Sequence, residues 1–440
     1  MAKPWHEMRE KLDSVSPSLC LAKWSQVTLH LQNGHTQSCH HPSTHKVPLE
    51  ELKNNPSALH NTKFKKEKRQ EMFDGIRPKE CDYCWRVEDA APDMFSDRHY
   101  KSSFSWSHPH FDKIVNTSAN EDFDPTYVEV SFSNVCNFKC MYCAPHISSK
   151  WMEEIQQHGA YPTSNQYNNL EWLEHSGQMP IPNNQHNPYK EAFWEWWPRL
   201  YKSLHTFRIT GGEPLMSKDT FKVLDYIQQT EEPNTNLLLG INANFGVPDK
   251  LWNKFLEQTR EILDSKRLRK LEIYTSAEAW DDKNNYIRFG MDYNQFIKRV
   301  AQCIETLPEV PITFMCAYNA LSISSFTKFL KDVELIREEY GKDCLYVDIP
   351  YVRHPDFLDC KIMKEGHMIE DTWKYMKKSK WFDEDETAKM ERIYKYWQHQ
   401  QKNDFTKQRN DLRTYIHELD KRRGTDFVKT FPEFEEYYNG

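Results

Sequence analysis

Tyr127-Val128-Glu129-Val130-Ser131-Phe132, running straight into Ser133-Asn134-Val135-Cys136-Asn137-Phe138-Lys139-Cys140-Met141-Tyr142-Cys143, decides how this chain is read. The first six residues are strand-like, and the loop after them carries three cysteines at C-x3-C-x2-C. A short loop with that spacing can turn three sulfurs towards one point, as an iron–sulfur cluster or another thiolate site requires. It supplies three ligands where a closed cluster uses four, so one metal ion is left open.

From Tyr127 onward, short β-rich runs alternate with helical ones. The strand candidates are 127–132, 204–210, 236–244, 271–276, 312–318 and 345–350. In 293–307, Phe296, Val300 and Ile304 recur every four residues, the mark of one buried helical face. Six β/α repeats predict an α/β fold with a parallel sheet and helices on its outside. Periodicity alone leaves a partial barrel and a doubly wound sheet equally open. The second strand ends in Thr210-Gly211-Gly212-Glu213-Pro214. Two glycines let backbone approach a ligand closely, and the carboxylate can accept from an ammonium group.

Upstream lie four more cysteines. Cys20 precedes a strand-like run, Val27 to Leu31; Asn33-Gly34 is a strong hairpin signal; a returning strand ends at Cys39. A polar, helix-prone segment from Leu49 to Phe73 stops before Cys81-Asp82-Tyr83-Cys84, a C-x2-C pair able to chelate from a tight turn. Four thiolates complete a first shell, so structural zinc is one reading. His40, His41 and His45 are competing ligands, with surface or supporting roles expected instead. The basic run Lys63–Arg69 reads as a solvated helix face, and 91–124 as a connector.

The C-x3-C-x2-C spacing with an aromatic residue, Tyr142, before the last cysteine, and Gly-Gly-Glu-Pro one strand later, resembles the signature of the radical S-adenosylmethionine enzymes. The resemblance implies a partial (β/α)6 barrel over 125–352. It implies a catalytic 4Fe–4S cluster on Cys136, Cys140 and Cys143, with S-adenosylmethionine chelating the open iron and cleaved to a 5′-deoxyadenosyl radical. Gly211, Gly212, Glu213 and Pro214 would hold the methionyl amino group. Asn242 and Asn244, at the third strand's end, and Ser276, after the fourth, would face the cofactor. Arg288 would pair with its carboxylate, and Asn319, after strand five, is a further contact candidate. For these last five, local capping or surface charge is the competing reading.

The N-terminal cysteine pattern resembles the SPASM and twitch modules of that family. This implies an auxiliary 4Fe–4S cluster on Cys20, Cys39, Cys81 and Cys84 in a hairpin/helix domain over 1–90. A helical extension over 353–440 would cover the barrel. A peptide or protein substrate and an external electron donor such as flavodoxin or ferredoxin follow from the same resemblance. The competing class is a zinc-bearing protein- or RNA-interaction module without turnover, which leaves the second cysteine group and Gly-Gly-Glu-Pro unused.

Composition bounds the rest. The 440 residues suffice for two or three domains. Mean hydropathy of −0.85 places much of the chain in solvated helices and loops, while 14 Trp supply large buried areas. No run approaches a membrane span, no secretory signal is visible, and a net charge of −7 argues against a dedicated nucleic-acid binder. Eleven cysteines suit metal ligation in a reducing, cytoplasmic compartment better than disulfides. Residues 150–200 form a long excursion whose aromatics, Phe193 to Trp197, are expected to pack a helix on the sheet. Lys139 is expected to face solvent, and Cys303, Cys316, Cys344 and Cys360 to act as small buried hydrophobes.

Overall fold

In the computed structural model, which describes residues 4–91 and 93–439, all six strand candidates form strands, with ends shifted by a few residues. The strands are β1 Gln26–His30, β2 His35–Gln37, β3 His45–Lys46, β4 Tyr127–Ser131, β5 Lys139–Cys140, β6 Thr206–Thr210, β7 Leu238–Asn242, β8 Lys270–Thr275, β9 Arg288–Phe289, β10 Ile312–Met315 and β11 Leu345–Asp348. Nine form one sheet in the order β11-β10-β8-β7-β6-β4-β1-β2-β3, and β5 pairs with β9. From β1 to β11 all neighbours run parallel. Only β2 and β3 return antiparallel.

The strand order never reverses. Right-handed crossovers that always add to the same edge place every connecting helix on one face of the sheet. The side chains agree. Leu29, Val130, Ile209, Ile241, Ile273, Ile312 and Leu345 form one row across seven strands, and all are fully buried. The next residue in each strand is His30, Ser131, Thr210, Asn242, Tyr274, Thr313 or Tyr346, a polar row on the opposite face. The helix Tyr293–Thr306 shows how a cover element is specified. The Asp292 side chain caps it by accepting from Gln295 N, and Phe296, Val300, Cys303 and Ile304 are buried along one stripe.

The sequence expectations are refined at four points. The N-terminal hairpin joins the main sheet, where β1 pairs in parallel with β4 along its whole length. The segment from Leu49 to Phe73 is helical in pieces: Leu49–Leu52, a 3-10 turn Pro56–Leu59 that begins at its proline, and Lys63–Phe73 capped by Thr62. The basic run is a solvated face only in part. Lys65 and Arg69 are fully buried, with Lys65 Nζ donating to Thr36 Oγ1 at 2.7 Å and Arg69 Nη1 to Asn61 Oδ1 at 2.9 Å. The connector 91–124 contains helices at Asp97–Ser103 and Phe111–Val115.

Helix Pro188–Ser203 buries Phe193, Trp196 and Trp197 as expected. Cys303, Cys316 and Cys360 are buried and Cys344 is partly so. After β11, helices Gly366–Lys378, Glu384–Gln400 and Thr406–Arg423 follow. Arg337 anchors the middle one through a bidentate pair with Glu386. Among the described residues no helix is long and apolar enough to cross a membrane.

Candidate functional site

The motifs all fall at the carboxyl ends of parallel strands, the edge where loops converge in α/β sheets. The three-cysteine loop leaves β4 and is clamped from two sides. On one side β5 pairs antiparallel with β9, setting Cys140 opposite Arg288. On the other, the backbone after β6 lies against it: Gly212 N donates to Ser133 O at 3.2 Å and Glu213 N to Val135 O at 2.7 Å. That contact needs the glycines. A Cβ on Gly211, whose φ is +115°, would stand 2.4 Å from Ser131 Oγ, and one on Gly212 would stand 2.3 Å from Val135 O. Trp151 Nε1 donates to Cys140 O at 2.8 Å, Tyr167 OH to Cys143 O at 2.8 Å, and Tyr415 OH to Met141 O at 2.9 Å. Lys139 is corrected: it does not face solvent but pairs with Glu154 at 2.5 Å, which also binds Arg423 at 3.1 Å.

Cys136, Cys140 and Cys143 line one cavity with Gly211, Gly212, Glu213, Asn242, Asn244, Ser276 and Arg288. Phe138, Ile147, Thr210 and Tyr274 also line it and were not singled out from sequence. Burial pushes the Cys136 thiol up to about 12, with Cys140 adding to the shift. Burial likewise raises Cys143, reinforced by Cys140 and Cys136. Glu213 is fully buried, and burial pushes its carboxyl up to about 7 against the hydrogen bonds it accepts from Asn244 N (2.7 Å) and Leu215 N (3.0 Å).

Arg288 is held by a partner the sequence reading missed. Its Nε donates to Glu278 at 3.0 Å, its Nη2 to Tyr142 OH at 2.8 Å, and its Nη1 lies 3.6 Å from Cys140 Sγ. Tyr142 OH in turn donates to Glu278 at 2.9 Å. Burial disfavours the guanidinium charge, but Glu278, Tyr142 and Cys140 outweigh it and hold the proton firmly. Glu278 sits three residues beyond β8, where strand-end logic points, but within Ala277-Glu278-Ala279 nothing marks it as more than a loop acid.

The remaining candidates separate. Asn242 accepts from Arg208 Nε at 2.9 Å, and Asn244 Nδ2 donates to Asn137 Oδ1 at 2.8 Å, both while lining the cavity. Pro214 is buried at the start of a 3-10 turn. Tyr142 faces a second cavity on the other side of the loop. Asn319 is outside the lining of the cysteine cavity; its side chain caps its own turn, accepting from Leu321 N and donating to Ala317 O, both at 3.0 Å.

Cys20, Cys39, Cys81 and Cys84 line a third cavity, with Lys23, Arg98 and Lys101 among its walls. Burial raises the Cys20 thiol, with Cys39 adding to the shift and Arg98 and Lys23 opposing it. Nearby cations are the counter-charge that a four-thiolate site needs in a buried setting. His41 lines this cavity bonded to Asp97 at 2.7 Å. His40 and His45 turn instead to Gln26 and Thr62. Among the described residues no group of three or more His, Cys, Asp or Glu is drawn together tightly enough to hold a metal ion as it stands. Of the eleven cysteines, seven line these two cavities, three on one and four on the other.

No family model matches the chain, and no curated protein matches it.

Proposed function

We propose that the chain is a radical S-adenosylmethionine enzyme built on a partial (β/α)6 barrel, with a second four-iron cluster on its N-terminal cysteines. One observation carries the reading: Cys136, Cys140 and Cys143 share a cavity with Gly211, Gly212, Glu213 and Arg288, though they come from loops far apart in sequence. The barrel is supported by a strand order that never reverses and by the polar face opposite the helices. A doubly wound sheet would bury both faces and carry apolar side chains on each.

The donor chemistry of the residues present is of the kind these groups take. Three thiolates would supply three of a cluster's ligands and leave one metal ion for another donor. Gly211 and Gly212 bring backbone close to the cysteine loop. Glu213, ionised above about pH 7, accepts from an amino group, while Ser276 and Arg288 are donors for a carboxylate. Phe138, Ile147 and Tyr274 wall the cavity and limit water. When bound, the cluster and S-adenosylmethionine supply one-electron cleavage and hydrogen-atom abstraction from a substrate. At the N-terminal site, Lys23 and Arg98 offset the negative charge that four thiolates bring. The substrate is proposed as a peptide or protein, the electron donor as a small flavodoxin or ferredoxin, and the compartment as the reducing cytoplasm.

Anaerobic reconstitution with iron and sulfide tests this. The expected result is about eight irons per chain, broad absorbance near about 400 nm, and release of 5′-deoxyadenosine with dithionite. Cys140→Ala should abolish that release while keeping about four irons. Zinc retained in place of iron, with no 5′-deoxyadenosine, would overturn the reading.

A further inference from the structure

The loop that carries Cys143 has a second face. Against it lies a cavity of about 720 Å³, lined by Tyr142 and His146 of the loop, by Tyr167, Trp172 and Gln178 of the excursion, and by His354 after β11. That volume is in the range of small-molecule sites. The lining chemistry is selective. Asn165, Gln166, Asn168, Asn169 and Gln178 bring five side-chain amides, yet Asp, Glu, Lys and Arg are absent from the described lining in a chain that is 28% charged. His146 Nδ1 is shielded from solvent without a partner among the described residues. A buried polar atom of this kind is normally satisfied by a water or a ligand.

The wall is also built under strain. Gln166 and Asn168 both hold positive φ, 21° and 62°, on either side of Tyr167. Left-handed backbone at two non-glycine residues persists only where the surroundings enforce it. Here the enforcement is visible: Tyr167 OH and Asn168 Nδ2 both donate to Cys143 O, at 2.8 and 3.1 Å. Trp172, 60% exposed, presents its ring at the cavity. Aromatic faces, amide side chains that pair donor with acceptor, and no charge to meet a phosphate together form the recognition set for a neutral heteroaromatic base.

We propose that this cavity binds an uncharged nucleobase or nucleoside, held by stacking on Trp172 and by hydrogen bonds from Gln178 and His146. If the function proposed above is right, this ligand is a second one beside the cysteine loop, distinct from the peptide or protein substrate: Tyr142 and Ala144 of the lining flank Cys143, about 4 Å from it along the backbone.

The test is isothermal titration calorimetry on the full chain, with and without reconstituted iron, using adenosine, guanosine, cytidine, uridine and uncharged capped dipeptides. At least one nucleoside should bind. Trp172→Ala should weaken it about tenfold or more, Gln178→Ala by about tenfold, and Trp172→Phe by no more than about threefold. Trp172 is exposed, so its variants fold. Ser276→Ala, in the other cavity, should leave the affinity unchanged. No nucleoside binding, affinity indifferent to Trp172 and Gln178, sensitivity to Ser276→Ala, or capture of capped dipeptides alone would each overturn the proposal. Binding that persists when iron loading and 5′-deoxyadenosine release fail would sink the enzymatic reading and leave this one standing.

Discussion

Replacing Glu278 by leucine strands the Arg288 guanidinium, because the carboxylate is fully buried and the arginine nearly so. Breaking a buried pair by removing one partner costs about 3–5 kcal/mol, mostly as the penalty of the charge left behind. With a urea dependence of about 3 kcal/mol per molar, a loss of about 4 kcal/mol lowers the unfolding midpoint by about 1.3 M. The double variant Glu278→Leu/Arg288→Met removes both charges. What remains unsatisfied is the Tyr142 hydroxyl, which bonds to both partners, and an orphaned hydroxyl costs about 1–3 kcal/mol. The double should therefore be more stable than Glu278→Leu alone, and adding Tyr142→Phe should return the midpoint close to wild type. Equilibrium urea unfolding followed by tryptophan fluorescence reads all three. A single-variant shift below about 0.3 M, or a double variant worse than the single, would refute the argument that charge pairing holds this wall.

Three further outcomes follow from the same loop. Gly212→Ala drives a Cβ into the Val135 carbonyl, a backbone atom with no room to yield, and should cost about 3 kcal/mol in chemical denaturation; an unchanged midpoint would contradict the close contact. Glu213 has a folded pKa raised from 4.5 to about 7 by burial, so its ionisation opposes folding. Stability falls as pH rises from about 4.5 through 7, and the penalty of about 3 kcal/mol is complete above that. The stability of Glu213→Gln relative to wild type should thus rise by about 3 kcal/mol between pH 4 and pH 8, and a pH-independent difference would rule this out. Arg423→Met removes the partner of Glu154 and a donor to Lys139 O. It should cost about 3–4 kcal/mol and speed amide exchange across residues 136–143; unchanged exchange there would show that the helix does not brace the loop.

The parallel strands were legible because each alternates an apolar residue facing the helices with a polar one on the other side, and because the motifs sit where strands end. Cys136, Gly211 and Glu213 could be placed before any coordinates for that reason. What escaped was burial of charge. Lys65, Arg69 and Met72 lie on one stripe of the helix Lys63–Phe73, but two cations on such a stripe read as solvated until Thr36 and Asn61 are seen to receive them. Glu278 and Arg288 are ten residues apart with a helix between, and no local spacing announces their pairing. Asn319 shows the opposite ambiguity: a polar residue after a strand serves its own turn as readily as a cofactor.

The bond from Tyr415 to Met141 spans 274 residues. At about 5–20 residues per second, the ribosome adds that stretch in roughly 14–55 s. During this interval the three thiols exist on a nascent chain without their last brace, exposed to oxidants and stray metals. If the loop holds the proposed iron–sulfur cluster, iron delivered during synthesis would meet an unfinished cradle, and loading would follow the docking of the helix Thr406–Arg423. A chain halted before that helix would carry the complete cysteine motif and still lack the floor beneath it.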